Sequence, residues 1–243
     1  ARRNDRLAKI AHHLADKYAI NIQQVLSDVR NNESLTAALE ALPAEWKKVD
    51  VLINNAGLSQ GLDPIDKGDT NDWDTMIDTN VKGLLYASKA ALPMLIKEKG
   101  HIINISSLFG YAATVPGFGL YGATKFAVEG ITEGLQLEVK PFGIHVTAVA
   151  PGLFRTDFAS GDSYKSSQLL LEEYQGTVGQ VRQAVAGLHG NQPGDPAKLA
   201  QVILELANAE HPPLHLPVGK DAVSALRAKM STIAKEVAEW ETL

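Results

Sequence analysis

His101-Ile-Ile-Asn-Ile-Ser-Ser-Leu-Phe-Gly110 and, one short loop later, Tyr121-Gly-Ala-Thr-Lys-Phe-Ala-Val-Glu-Gly130 decide how this chain folds. The first stretch is an apolar, β-branched run that stops at a serine pair, as a buried strand does at its end. The second has helical period and sets Tyr121 and Lys125 four residues apart, one turn of helix. A free phenol titrates near 10, and each unit of lowering takes about 1.4 kcal/mol of differential stabilisation. A tyrosine that trades protons near neutrality therefore needs a fixed cation close by, and Lys125 is spaced to supply one.

The alternation extends in both directions. Ile20 to Val29 reads as a strand ending at Asp28-Val29, and Ser34 to Leu42 as a helix. Val49 to Asn55 is a short β-rich run. Asn71 to Lys97 has helical period, with Trp73, Met76, Ile77, Val81, Leu84 and Leu85 on one face. Ile144 to Ala150 is a strand stopped by Pro151-Gly152; Pro196 to Ala209 reads as a helix, Leu214 to Val218 as a last strand, and Asp221 to Trp240 as a packing or subunit-contact helix. Strands separated by helices imply one α/β domain over residues 1–243, a doubly wound parallel sheet flanked by helices. Asn55, Ser107 and Pro151 each close a strand at its carboxyl end, where open α/β sheets bind ligands. Residues 153–196, rich in glycine, are the least regular part and the expected substrate loop or lid.

Bulk properties narrow the function. A net charge of −5 over 243 residues with no long basic run argues against nucleic acid as the main partner. No apolar run approaches membrane-spanning length, so no membrane partner is expected. The absence of cysteine excludes disulfides and thiolate catalysis and fits a reducing, cytoplasmic setting. The histidines make no ligand-like pair, so no catalytic metal is expected.

With Asn54-Asn-Ala-Gly57, Asn80-Val-Lys-Gly83 and Pro151-Gly152 in the same order, the chain resembles the short-chain dehydrogenase/reductase family over nearly its whole length. A lone Tyr-x-x-x-Lys is weak evidence; five ordered motifs are strong. The resemblance implies a Rossmann-like fold and hydride transfer between a nicotinamide and a carbonyl or secondary alcohol. It makes Tyr121 the general acid/base, Lys125 the group that lowers its pKa and holds the nicotinamide ribose, and Ser107 the hydroxyl that orients the substrate oxygen. Ser106 competes for that last role, and either serine also suits a strand-end cap. Asn80 would complete the set through a water that links Lys125 to solvent, or serve as a structural hydrogen-bonder. Asn55, Ala56 and Gly57 would line the adenosine side of the cleft, Asp28 and Val29 the adenine, and Pro151, Gly152 and Thr156 the nicotinamide. The Asn55–Gly57 stretch and Asp28 also have a plain turn reading.

The family opens with a strand, a Thr-Gly-x-x-x-Gly-x-Gly turn and a helix. That first strand, its turn and most of the second strand have no counterpart in this sequence. The working protein is expected to carry residues upstream of Ala1, the alternative being an inactive fragment. Arg2 and Arg3 follow the position where NAD-users carry an acid, filled here by Ala1. Arginine suits a 2′-phosphate, so NADP(H) is favoured over NAD(H), with a solvated basic turn as the competing reading. Residues up to about Ile105 resemble a branch acting on 3-hydroxy acids such as serine; later residues resemble a branch related to 17β-hydroxysteroid dehydrogenases. Phe158, Tyr164, Leu169, Leu170 and Tyr174 are candidates for an apolar wall. The expected partners are a small carbonyl or alcohol substrate and further copies of the chain, as a homodimer or homotetramer. A non-catalytic dinucleotide-binding regulator of the same fold is the alternative from another class.

Overall fold

The structure, a computed structural model, describes residues 2–156, 158, 163–167, 172–188 and 190–242. At its centre is a parallel sheet of four strands: β1 (Val51–Asn54), β3 (His101–Ile105), β4 (His145–Pro151) and β6 (His215–Val218), in the order β1-β3-β4-β6. The register sets Ile102 beside Val146 and Ile103 beside Thr147. Successive strand residues face opposite sides, and both sides are covered here. Ile102 and Val146 pack with Ala91 and Leu95 of helix α4 (Gly83–Glu98) and Val139 of α5 (Gly119–Val139). Ile103 and Val149 pack with Leu206 of α7 (Pro196–Ala207) on the other side. Each fully buried Leu, Ile or Val contributes about 1.5–3 kcal/mol, which explains why these strands read as unbroken apolar runs. The doubly wound parallel architecture expected from the sequence is present.

A buried amide ladder ties the layers. Asn54 Nδ2 donates to Ser88 Oγ (3.0 Å) and to Asn104 Oδ1 (2.9 Å), and Asn104 Nδ2 donates to Thr132 Oγ1 (2.9 Å). The first asparagine of the Asn54-Asn-Ala-Gly motif is thus a fastener between β1, β3, α4 and α5.

Two expectations are corrected. Ile20–Val29 is not a strand: no ladder partner exists for it among the described residues, and Ile20 and Leu26 stay exposed. A strand's amides and carbonyls need a neighbour. Its end is instead a turn, in which Asp28 Oδ1 accepts from Arg30 N (3.0 Å), ahead of α2 (Asn32–Glu40). The helix expected over Asn71–Lys97 is also interrupted. Between α3 (Thr70–Ile77) and α4 lies a π-helical turn, Asp78–Lys82. An extra residue in one turn rotates the apolar stripe. Met76 and Leu84 stay buried, whereas Ile77 and Leu85, expected on the same face, are exposed.

The region expected to be irregular is partly ordered. Strand β2 (Ser59–Gly61) pairs in parallel with β5 (Tyr164–Ser166), and α6 (Gln180–Leu188) follows. Helix α1 (Asn4–Tyr18) precedes the sheet, and α8 (Lys220–Trp240) follows it. Only Ala222 of α8 is buried; Met230, Ile233, Val237 and Trp240 form an exposed stripe at alternating spacings of three and four. Packing of this helix is therefore confined to residues up to Leu226, and from Arg227 onward it is exposed.

Candidate active site

Helix α5 begins at Gly119, which puts Tyr121 and Lys125 in its first two turns, against the carboxyl end of β3. Both are buried, as are Ser107 and Asn80. The Tyr121 ring is held among Phe109, Phe118 and Phe158, with centroids 5.8, 6.1 and 5.9 Å away. Lys125 Nζ donates to the Ile105 carbonyl (2.9 Å) and sits 5.8 Å from the Tyr121 ring centroid.

The two serines face different neighbours. Ser107 faces Tyr121 and lowers its phenol pKa, and its Oγ accepts from Phe109 N (3.2 Å), capping a short turn at Leu108–Gly110. Ser106 turns toward the Glu129 carboxyl. Ser107 thus caps this turn while also lining the cavity with Tyr121.

Asn80 lies inside the π-helical turn. Its Oδ1 accepts from Leu58 N (2.9 Å), and its Nδ2 donates to Leu58 O (2.9 Å) and Thr124 Oγ1 (3.0 Å). The Thr124 hydroxyl donates in turn to Tyr121 O (2.8 Å). The side chain therefore staples the turn after β1 to the helix that carries Tyr121. Gly57 passes close to both Asn80 Oδ1 and Lys125 Nζ; a β-carbon there would lie 3.5 Å from each.

The electrostatics correct a further expectation. Burial pushes the Tyr121 phenol up to about 12, with the Ser107 hydrogen bond pulling the other way. Burial also pulls Lys125 down to about 8, opposed by the negative charge of Glu129. The phenol is thus not held acidic in this structure: desolvation raises it, and the opposing contribution comes from Ser107. At neutral pH the pair is a neutral phenol beside an ammonium.

Behind this pair lies a second charged group that sequence reasoning missed. Glu129 is one turn beyond Lys125, with its carboxyl buried and its pKa raised by that burial. His215 Nδ1 lies 3.0 Å from Glu129 Oε2, and His215 Nε2 lies 3.4 Å from Glu133 Oε1 nearer the surface. The i+4 spacing of Glu129 from Lys125 was legible; the arrival of His215 from the last strand was not.

A cavity of about 260 Å³ gathers much of the expected set: Asn55, Gly57, Ser107, Tyr121, Lys125, Pro151, Gly152 and Thr156 line it. Gly152 is required by a close approach, because a β-carbon there would meet the Asp221 carboxylate, which accepts from Leu153 N (2.7 Å). Asn80 stands just behind the wall. Arg2, Arg3, Asp28, Val29 and Ala56 lie outside this cavity. Asp28 is gripped by Arg30 through Nε (3.1 Å) and Nη2 (2.7 Å), with Arg2 Nη1 4.0 Å away. Val29 packs against α4 at Gly83. Of the suggested apolar wall, Phe158 and Tyr164 line the cavity, Tyr174 instead donates to Asp66 Oδ1 (2.8 Å), and Leu169 and Leu170 fall outside the described residues, as does Ala1. Gln192, unanticipated, is a buried cavity residue whose Oε1 has no hydrogen-bond partner.

A family model for short chain dehydrogenases matches residues 1–166. The chain belongs to the short-chain dehydrogenase family. As a member it is an NAD(P)-dependent oxidoreductase acting on CH–OH groups. The NADP-dependent 3-hydroxy acid dehydrogenase YdfG of Escherichia coli strain K12 is 40% identical over 183 residues, covering 73% of this chain and 70% of the relative. A short-chain dehydrogenase from Streptomyces avermitilis superposes with a TM-score of 0.86 at 34% identity, over 100% of this chain and 85% of the other. The closed form of a serine dehydrogenase complexed with NADP+ gives a TM-score of 0.72 at 31% identity, over 89% and 82%.

Proposed function

We propose that this short-chain dehydrogenase works with NADP(H) in preference to NAD(H), and that Tyr121 passes the proton in the interconversion of a carbonyl and a secondary alcohol. The observation that carries this reading is the convergence of Ser107, Tyr121 and Lys125 on one cavity whose other rim is Asn55, Gly57, Pro151, Gly152 and Thr156. Small residues on that rim allow close approach of a flat ring at the carboxyl ends of the strands, where open parallel sheets bind ligands. The residues present therefore fit the nicotinamide half of the cofactor. When bound, the nicotinamide supplies or accepts the hydride.

In reduction, the Tyr121 hydroxyl gives its proton to the substrate oxygen as negative charge develops there. The Ser107 hydroxyl holds that oxygen and shares its charge. The Lys125 ammonium offsets the phenolate left behind and retains donors for a ribose hydroxyl. Asn80 acts by fixing the Leu58 turn against Thr124 and so holding Tyr121 in place. Asp28 and Val29 would take the adenine, and Ala56 the adenosine side. Preference for the 2′-phosphate is supported by Arg2 and Arg30 around Asp28, with Arg3 next to Arg2 in the chain, and by relatives whose names specify NADP. Residues 153–196 serve as the substrate lid; Phe154, Phe158, Tyr164, Val185 and Gln192 reach the cavity from it. Association as a homodimer or homotetramer is part of the reading, supported by apolar Ile77 and Leu85 on α3–α4 and Phe126 and Leu137 on α5, all exposed.

The test is NADPH and NADH consumption against a panel of ketones, aldehydes and 3-oxo acids. NADPH-linked turnover of at least one member is expected. Dinucleotide binding with no turnover of any would favour the regulator reading, and faster turnover with NADH would overturn the cofactor preference.

A further inference from the structure

Tyr121 reaches its cavity through a collar of rings. Phe109 and Phe118 stack face to face, with centroids 4.8 Å apart and planes at 14°. Both meet the Tyr121 ring nearly edge-on, and Phe158 closes the third side. Val185 and Leu188 of α6 and Leu199 of α7 continue the apolar lining. Among the described lining residues the sole cationic group is Lys125, and its ammonium is bound to the Ile105 carbonyl beneath the rim at Gly57. Two arginines of the lid segment are engaged elsewhere. Arg155 Nη1 donates to the Gln192 carbonyl (2.7 Å), and Arg182 pairs with the Asp63 carboxylate and donates to Leu62 O (3.0 Å). The adjoining cavity of about 630 Å³ shares Tyr121 and carries two carboxylates, Asp63 and Asp69.

A carboxylate two carbons from the reacting centre would be set among phenyl rings with, among the described lining residues, no cation but Lys125, which is engaged at the Ile105 carbonyl and the catalytic centre, and next to like charge if it pointed into the adjoining cavity. Burying an uncompensated carboxylate is strongly unfavourable. A flat uncharged ring meets the opposite situation: it can stack or pack edge-on within the collar. The buried Gln192 amide, with its Oε1 unpartnered, offers a hydrogen bond to a neutral polar substituent.

We infer that the substrate is an uncharged ketone or secondary alcohol carrying a flat ring beside the reacting carbon, and that 3-oxo and 3-hydroxy acids are selected against. This rests on the reading of the cavity as the site of hydride transfer. It sets the chain apart from the relatives whose names specify 3-hydroxy acids or serine. Reduction of such a ketone adds a hydride to carbon and the Tyr121 proton to oxygen, with NADPH oxidised to NADP+.

The test uses a matched pair, acetophenone and benzoylacetate, which share ring and carbonyl and differ by a carboxylate-bearing carbon. With NADPH, kcat/KM for acetophenone is expected to exceed that for benzoylacetate by about 100-fold or more, the scale of an unpaired buried charge. Equal turnover, or faster turnover of benzoylacetate, overturns the inference. Calorimetric titration of both into NADPH-loaded Tyr121→Phe protein separates this inference from the catalytic reading. Acetophenone binding at least tenfold tighter, with no turnover of either by the wild type, would keep the substrate class and refute the reductase assignment. Equal binding of the two, or binding of neither, overturns the substrate class itself.

Discussion

Replacing Lys125 by Met should make the protein more stable at neutral pH while removing its activity. The side chain is buried and its ammonium is pulled from 10.5 to about 8. That difference corresponds to about 3 kcal/mol against the folded state wherever the lysine is charged in both states. The sign follows from proton counts. Between pH 8 and 10.5 the unfolded chain keeps a proton that the folded chain has lost, so stability rises with pH across that window. Methionine nearly conserves the volume, but the bond from Nζ to the Ile105 carbonyl is lost, at about 1–2 kcal/mol. A net gain of about 1–2 kcal/mol at pH 7 remains, and it should vanish by about pH 10. Urea denaturation of both proteins at pH 7 and pH 10 reads this directly, and the same samples report NADPH-linked turnover. A variant less stable than wild type by more than about 2 kcal/mol at pH 7, or one that retains full activity, would refute the reasoning.

Other expectations follow from the same charges. Because Glu129 props up the Lys125 cation, Glu129→Gln should move the alkaline limb of the pH–rate profile for reduction below pH 8 while leaving the dinucleotide Kd unchanged; an unmoved limb would detach Glu129 from the mechanism. His101 is buried, and burial together with His145 holds it down at about 4. Its Nε2–H donates to Thr147 Oγ1 (2.9 Å), since that hydroxyl itself donates to Pro213 O (2.6 Å). Stability should therefore fall by up to about 3 kcal/mol as pH drops from 6.5 toward 4, and thermal unfolding of His101→Gln should show a shallower dependence across that range.

Sequence and structure agree where one local rule suffices. The strand at His101–Ile105 and the helix carrying Tyr121 and Lys125 were legible because apolar runs and helical period act within a few residues. The meeting of Asn55, Ser107 and Pro151 at strand carboxyl ends followed from parallel topology alone. What escaped depends on distant partners. Whether Ile20–Val29 forms a strand is decided by a neighbour, not by its own β-branched content. The π-helical turn at Asp78–Lys82 leaves no periodic trace, so Ile77 and Leu85 were placed on the wrong face. The Tyr121 pKa was misjudged because the lysine was visible in the sequence and the Phe109–Phe118–Phe158 collar that desolvates the phenol was not. The same tertiary packing concealed His215 beside Glu129 and the unpartnered amide of Gln192.

The claim at the centre is that the Tyr121 hydroxyl delivers the proton that accompanies hydride transfer. Single-turnover measurement of NADPH oxidation by wild type and Tyr121→Phe, with the dinucleotide Kd determined on the same samples, tests it most directly. The account predicts a fall of about 10²–10⁴ in the hydride step with a Kd changed by less than about twofold, since the ring, its collar and the Lys125–Ile105 bond all survive the loss of one oxygen. A hydride rate within about tenfold of wild type, below the least that a positioned acid contributes, would contradict it.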